Sequence, residues 1–371
     1  MKERKKFFQT PRGTESFYLE EALLHRKATD ALLDLFHTWG YLPVNTPAFD
    51  FFDTYRSLLD PEAEERIYRL IDREGDLLML RSDITLFVAK QMGTSLTRQD
   101  LPVRVCYADS ILRHQSQEDI SHHEFFQVGA ELIGSPGPKG DLEVLLLLLS
   151  SLRLLELPAT VLHLGSRAFF NACFTERVAG PALHLLRAAI LNRSWTQVEE
   201  LLKAQRCRGA EAGLLLKLFS FIGARKEFAA LKAGAKRVKI LSEKAAAELD
   251  YLEEILNALE RLSLGPEVHL DLAEIGHQPY YTGVVFQVYM PGLDSYIAAG
   301  GRYDGLLGFF GFEAPSVGFS LFLRKVEDRI ANPERFRQRM PKVNLKEPDA
   351  VKAFQEAERL RAEGKIVTLG G

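Results

Sequence analysis

Two runs, VRVCYA at 103–108 and EFFQVGAEL at 124–132, do most to limit what this chain can fold into. Both are rich in β-branched and aromatic residues, and a polar loop without helical periodicity separates them. Strands that follow one another in this way pair antiparallel. A second pair, RIYRLI at 66–71 and LLMLR at 77–81, reads as a hairpin around the polar turn DREGD. Helices flank both pairs. Over residues 19–39, Leu24, Ala28, Ala31, Leu32, Leu35 and Phe36 recur at helical spacing, and Gly40 stops the run before a short strand reaching Pro47. Asp83 and Thr85 open another helix. The turn cluster SPGPKGD at 135–141 precedes a long Leu-rich one. Antiparallel strands mixed with helices predict an α+β fold rather than a doubly wound sheet.

The composition changes over residues 166–262, where Ala, Leu and Lys dominate and AAAELDYLEEILNALERL is strongly helical. This stretch is expected to be a helical insertion. Strands are expected again at 267–271, 283–290 and 295–299, followed by a glycine-bearing turn, GGRYDGL at 300–306; SVGFSLFLRKVEDRI is expected to enter a helix. Residues 1–330 thus form one core. Residues 331–371 read as a linker, a weak strand, a helix at 349–363 and a strand at 365–369, which is short of the ~50 residues a separate domain usually needs.

The balance of 47 basic against 50 acidic residues, a net charge of -3, gives no global nucleic-acid signature. Cys106, Cys173 and Cys207 are scattered and in no CxxC spacing, which argues against disulfides and a cysteine zinc site and for a reducing cytoplasm. MKERKKFF lacks a following apolar stretch, so it is no secretory signal. The greasiest run, Val144 to Leu149, is far below the ~20 residues a membrane span requires. His114, His122 and His123 sit in a polar loop without a cysteine partner and read as solvated side chains, not metal ligands.

GHQPYYTGVVF at 276–286 raises the functional question. Paired tyrosines and nearby glycines suit a small-molecule grip, yet no arginine, lysine or carboxylate lies between Gly276 and Phe286. Tyr281 alone suits a core tyrosine with a satisfied hydroxyl equally well. Arg302 and Asp304 read best as partners of each other.

RVCYADSILRHQSQEDISHHEFFQVGAELIG (104–134) resembles motif 2 of a class II aminoacyl-tRNA synthetase. AAGGRYDGLLGFFGFEAPSVGFSLFLRK (298–325) is similar to motif 3 in its histidyl-tRNA synthetase form, PYYTGVVFQV to the histidine-specific segment, and WGYLPVNTPAFD to motif 1. The resemblance covers residues 8–330. It implies a class II synthetase-like antiparallel sheet flanked by helices, a self-dimer built through motif 1, and a C-terminal α/β domain cut to a fragment.

Several departures matter. The arginine that the synthetases place four residues before the paired tyrosines is Gly276 here. The motif 2 loop, HQSQEDISHH at 114–123, has no Lys or Arg and carries Glu118 and Asp119, which repel a triphosphate. The motif 3 arginine corresponds to Lys325, which lacks the bidentate fork. The amino-acid side is kept. By the resemblance, Asp83 and Thr85 match the α-amino contacts, Glu131 and Tyr281 the imidazole contacts, and Arg113 a carboxylate partner, with Gln127 and Tyr280 beside them. An anion, a cation and polar ring partners are also what an imidazole-bearing zwitterion requires chemically. The combination resembles the regulatory-subunit family of ATP phosphoribosyltransferase, paralogues of histidyl-tRNA synthetase. It implies histidine as ligand, no catalytic residues, no cofactor or metal, and the short-form catalytic subunit as partner in an octamer of four and four. An atypical synthetase, or a synthetase-like module binding tRNA or protein, are the alternatives.

Overall fold

The computed structural model describes residues 10–11, 13–114, 123–178, 180–205, 207, 209–238, 241–337 and 341–369. At its centre is a nine-stranded mixed sheet in the order β1-β5-β6-β12-β11-β10-β7-β9-β8. These strands are β1 (Leu42–Pro43), β5 (Val103–Leu112), β6 (Glu124–Ile133), β7 (Val161–Ser166), β8 (Ile222–Gly223), β9 (Glu267–Asp271), β10 (Val284–Tyr289), β11 (Ala298–Arg302) and β12 (Ser316–Phe322). From β5 to β7 every neighbour is antiparallel. The parallel pairs are β1–β5 and β7–β9. A small sheet, β2 (Phe49–Phe51), β4 (Leu77–Leu80) and β3 (Arg69–Ile71), stands beside it and contains the expected hairpin. The fold is the α+β, class II synthetase-like arrangement that the sequence suggests.

The longer helices are α1 (Glu20–Thr38), α2 (Ile84–Ser95), α3 (Pro138–Leu154), α4 (Arg167–Phe174), α5 (Pro181–Leu191), α6 (Trp195–Ala204), α7 (Ala210–Phe219), α8 (Arg225–Val238), α9 (Glu243–Leu262) and α10 (Ala350–Ala362). Several start where a polar side chain caps the free N–H groups: Asp83 for α2, Ser166 for α4, Ser242 for α9 and Asp349 for α10. Helices α4 to α9 form the expected helical segment. Their apolar faces, including Phe169, Phe219, Phe228 and Leu249, join the same core as Leu162, Leu164 and Phe286 of the sheet. No helix among the described residues is long and apolar enough to cross a membrane.

Several expectations need correction. SVGFSLF is not a helix entrance but β12, in the middle of the sheet, followed by short 3-10 turns at Leu323–Lys325 and Glu327–Arg329. Both faces of β12 are covered, so it shows no polar alternation to betray a strand. Gly300, Gly301 and Arg302 belong to β11 rather than to a turn, and the strand starts at Ala298 instead of 295. A Cβ on Gly300 would collide with the Gly318 carbonyl and the Phe286 ring, so strand crowding requires the glycine. Strand β7 precedes the helical segment unannounced, and the short strand expected to reach Pro47 ends at Pro43.

The terminal residues form a parallel pair, β13 (Lys342–Leu345) and β14 (Ile366–Leu369), crossed over by α10. Their apolar cluster, Ala357, Leu360 and Val367 with Val343 and Leu345, is separate from the main core.

In β12, Gly318 faces Glu131 of β6 directly. A Cβ there would fall on the Glu131 carboxyl and lie 2.7 Å from the Ala130 carbonyl. Gly318→Ala should therefore destabilise the protein by about 2–3 kcal/mol. Gly305→Ala, where a Cβ meets nothing within 4 Å, should change stability by less than ~0.5 kcal/mol. Urea midpoints of the two variants check the contrast.

Candidate functional site

Asp83, Thr85, Arg113, Gln127, Glu131, Tyr280 and Tyr281 all line one cavity that is partly open to solvent. Gln127 and Glu131 stand four apart on β6, so both point to the same face of the sheet. Asp83 and Thr85 come from the start of α2, Arg113 from just past β5, and the tyrosines from the loop before β10.

Glu131 is fully buried. Its Oε1 accepts hydrogen bonds from the Thr85 hydroxyl at 2.7 Å and the Tyr107 hydroxyl at 3.2 Å, and its Oε2 from the Tyr303 hydroxyl at 2.5 Å. Desolvation nevertheless pushes its carboxyl up to about 7; the hydroxyls oppose the rise and the neighbouring Asp83 adds to it. Three donors leave one of roughly four acceptor sites for a further N–H.

Asp83 works on two sides. It caps α2 through Leu86 N–H, and its Oδ2 accepts from the Tyr280 hydroxyl at 2.9 Å. Arg113 approaches the same oxygen at 3.8 Å while its Nε donates to the Ser82 carbonyl at 2.7 Å. Gln127 donates to the Ser320 hydroxyl at 3.2 Å. The Tyr280 ring packs edge-on against Tyr281 and Tyr303. Two carboxylates and one guanidinium therefore line the cavity, a balance that suits a ligand with a positive end.

Sequence reasoning missed Tyr296, Tyr303, Gln278, Ser320 and Phe322, which also line it. Tyr303 was visible in GGRYDGL, but a turn assignment hid its direction. Arg302 does pair with Asp304, at 3.0 Å, and more closely with buried Asp141 at 2.5 Å.

The Lys325 ammonium donates to the Ser295 hydroxyl at 2.7 Å and lies 5.1 Å from the centre of the Phe322 ring and 5.8 Å from those of Phe125 and Tyr296. Gly276 has φ +73°, in the left-handed region, and a Cβ there would lie 2.5 Å from the Tyr281 ring. A side chain at 276 is thus opposed by both the backbone and the ring above it.

Of the motif 2 loop only the ends, His114 and His123, are described; the rest of it, including His122, Glu118 and Asp119, lies outside the described residues. The His114 and His123 rings are 5.1 Å apart, and Tyr68 bonds to His123. Among the described residues no group of three or more His, Cys, Asp or Glu side chains is arranged to hold a metal ion.

The family model for histidyl-tRNA synthetase matches residues 13–326. A protein of Moorella thermoacetica named ATP phosphoribosyltransferase regulatory subunit is 32% identical over 365 residues, 98% of this chain and 92% of that protein. Among solved structures, a Bacillus halodurans protein described as an ATP phosphoribosyltransferase regulatory subunit/histidyl-tRNA synthetase superposes with a TM-score of 0.84 at 25% identity, covering 98% of this chain and 92% of that one. A histidyl-tRNA synthetase from Nostoc, at 19% identity and a TM-score of 0.78 over 98% of this chain and 86% of that one, shares the fold.

Behind the tyrosine loop lies another buried carboxyl. Glu274 accepts the Gly276 N–H at 3.2 Å, and desolvation, aided by Asp271, pushes it up to about 7. A carboxyl that binds its proton more tightly when folded stabilises the fold at acidic pH. That contribution is lost as pH rises from about 4.5 through 7. Glu274→Gln keeps an acceptor for Gly276 and removes the ionisation. Relative to the parent it should gain on the order of 1–3 kcal/mol between pH 5 and pH 8, read from denaturant midpoints at the two pH values.

Proposed function

Because the chain belongs to the histidyl-tRNA synthetase-like family of ATP phosphoribosyltransferase regulatory subunits, we propose that it is a non-catalytic subunit that binds free histidine and carries feedback control to the short-form catalytic subunit. That pair joins ATP to phosphoribosyl pyrophosphate in the first step of histidine biosynthesis. The observation that carries this reading is the coexistence of a complete polar cavity with a glycine at 276. Asp83 and Thr85 receive the ligand's ammonium, Arg113 its carboxylate, and Glu131 and Tyr281 its imidazole; Gln127 and Tyr280 orient these groups.

Histidine activation needs positive charge on both the amino acid and the triphosphate. Gly276 supplies none, and Lys325 is committed to Ser295 within its aromatic surround. A cavity that holds the amino acid without the nucleotide suits a sensor. The self-dimer reading draws support from Phe49, Phe51, Leu70, Ile71 and Leu77, exposed apolar side chains all carried by the small sheet. A cytoplasmic octamer of four such chains and four catalytic chains completes the proposal.

Histidine-dependent ATP–pyrophosphate exchange by the chain alone should stay at background, since losing one preorganised charge-stabilising group costs ~10²–10³ in rate and several are lost. Gly276→Arg should not restore it. Clear exchange by the parent chain would identify an atypical synthetase instead.

By calorimetry, Glu131→Ala should weaken histidine binding roughly tenfold to a hundredfold, the equivalent of ~1.5–3 kcal/mol for a charged hydrogen-bond partner. Asp83→Asn, which keeps the helix cap, should act in the same direction. Complexes reconstituted with these variants should assemble and respond less to histidine. Unchanged affinity in both would move the binding site elsewhere, and unchanged inhibition despite lost binding would leave this chain a scaffold or activator.

A further inference from the structure

Tyr280 and Tyr281 reach the cavity on a loop, Glu274 to Gly283, that belongs to no strand or helix. Its shape is imposed from outside by two buried arginines. The first is Arg167, the opening residue of α4. Its Nε donates to the Ile275 carbonyl at 2.6 Å, and its Nη2 donates to the Gly276 and Gln278 carbonyls at 2.5 and 3.2 Å. Its own main-chain N–H donates to the Gly283 carbonyl at 2.8 Å. One residue therefore ties the start of the loop to its end. The second is Arg302, whose carbonyl accepts the N–H groups of Thr282 and Gly283. Its guanidinium pairs with Asp141, which in turn accepts the Tyr251 hydroxyl of α9.

Both tethers lead to the helical segment, one to its first helix and one to its last. Burying Arg167 carries a desolvation penalty; together with nearby Arg187 it pulls the guanidinium down to about 10. A cation kept at that cost and spent on three main-chain carbonyls fixes a loop path, and no aliphatic side chain of similar size does so.

We infer that Arg167 is a positioning residue for the Tyr280–Tyr281 pair, and that through it the helical segment sets the ligand affinity of the cavity. The second half of this inference rests on the histidine-binding reading above. The geometry leaves little slack. The Tyr280 hydroxyl meets Asp83 at 2.9 Å, and the Tyr281 ring covers a glycine with no room to spare. A displacement of ~1 Å would break the first and unseat the second. Lysine at 167 keeps the charge but cannot span three carbonyls.

The test uses the full chain with Arg167→Lys and Arg167→Met, each alone and combined with Tyr281→Phe. Hydrogen exchange of the amides from 276 to 283 is measured without ligand, and histidine affinity is measured by calorimetry. Both Arg167 variants should speed exchange in the loop while the amides of β6 and β12 stay protected. Affinity should fall about tenfold. With Tyr281→Phe added, the loss should be clearly smaller than the product of the single losses, because both act through one ring; a purely global destabilisation would give independent effects. Should the methionine variant not fold, the lysine variant decides. Unchanged loop exchange together with parental affinity, or losses that simply multiply, would overturn the inference. A parent chain that does not bind histidine would overturn the reading of the cavity, while the exchange data would still decide the role of Arg167.

Discussion

Burying the Glu131 carboxylate governs much of what surrounds it. Ionised or protonated, a carboxyl away from water must have its oxygens occupied, and three hydroxyls from three different parts of the chain do so. Each brings its element with it: Thr85 fixes the start of α2, Tyr107 the middle of β5, and Tyr303 the exit of β11. Gly318 is the matching concession on β12, since only a missing side chain lets the carboxyl lie across that strand. The cavity is thus a by-product of solvating a charge with protein groups. That explains why its polar residues are so widely spaced in sequence and so closely gathered in the fold.

The same logic recurs at lower stakes. Asp83 is both helix cap and Tyr280 partner, so the charge that would meet an ammonium group also holds its own wall in place. Asp141, with no exposed surface, joins α3, β11 and α9 through Arg302 and Tyr251. Such nodes are poor sources of net stability but strong sources of geometry, because a buried group left without its partner is costly.

What the sequence made legible follows local physics. The β5 and β6 strands, α1, the Asp83 cap and the hairpin at β3 and β4 all announce themselves through periodicity, caps or turn residues. The seven candidate residues came from motif resemblance, and the fold gathers them around one cavity. Strand β12 was illegible because both of its faces are covered, which erases alternation. Glycines in β11 read as a turn because glycine signals freedom when isolated and crowding when paired with another strand's glycine; only the register, Gly301 against Gly318, distinguishes the two. Arg167 could not be picked out, since its partners are main-chain carbonyls more than a hundred residues away and carry no side-chain signature.

The terminal β13–α10–β14 unit has a consequence of its own. Its core amounts to a handful of side chains, and among the described residues both strands of its two-stranded parallel sheet have an unpaired edge. Because its apolar cluster is separate from the main core, opening it exposes little of the buried surface that holds the large sheet together. A unit of this kind is expected to open more easily than the whole chain unfolds. A limited protease can therefore clip the tail from a chain whose cavity is still intact.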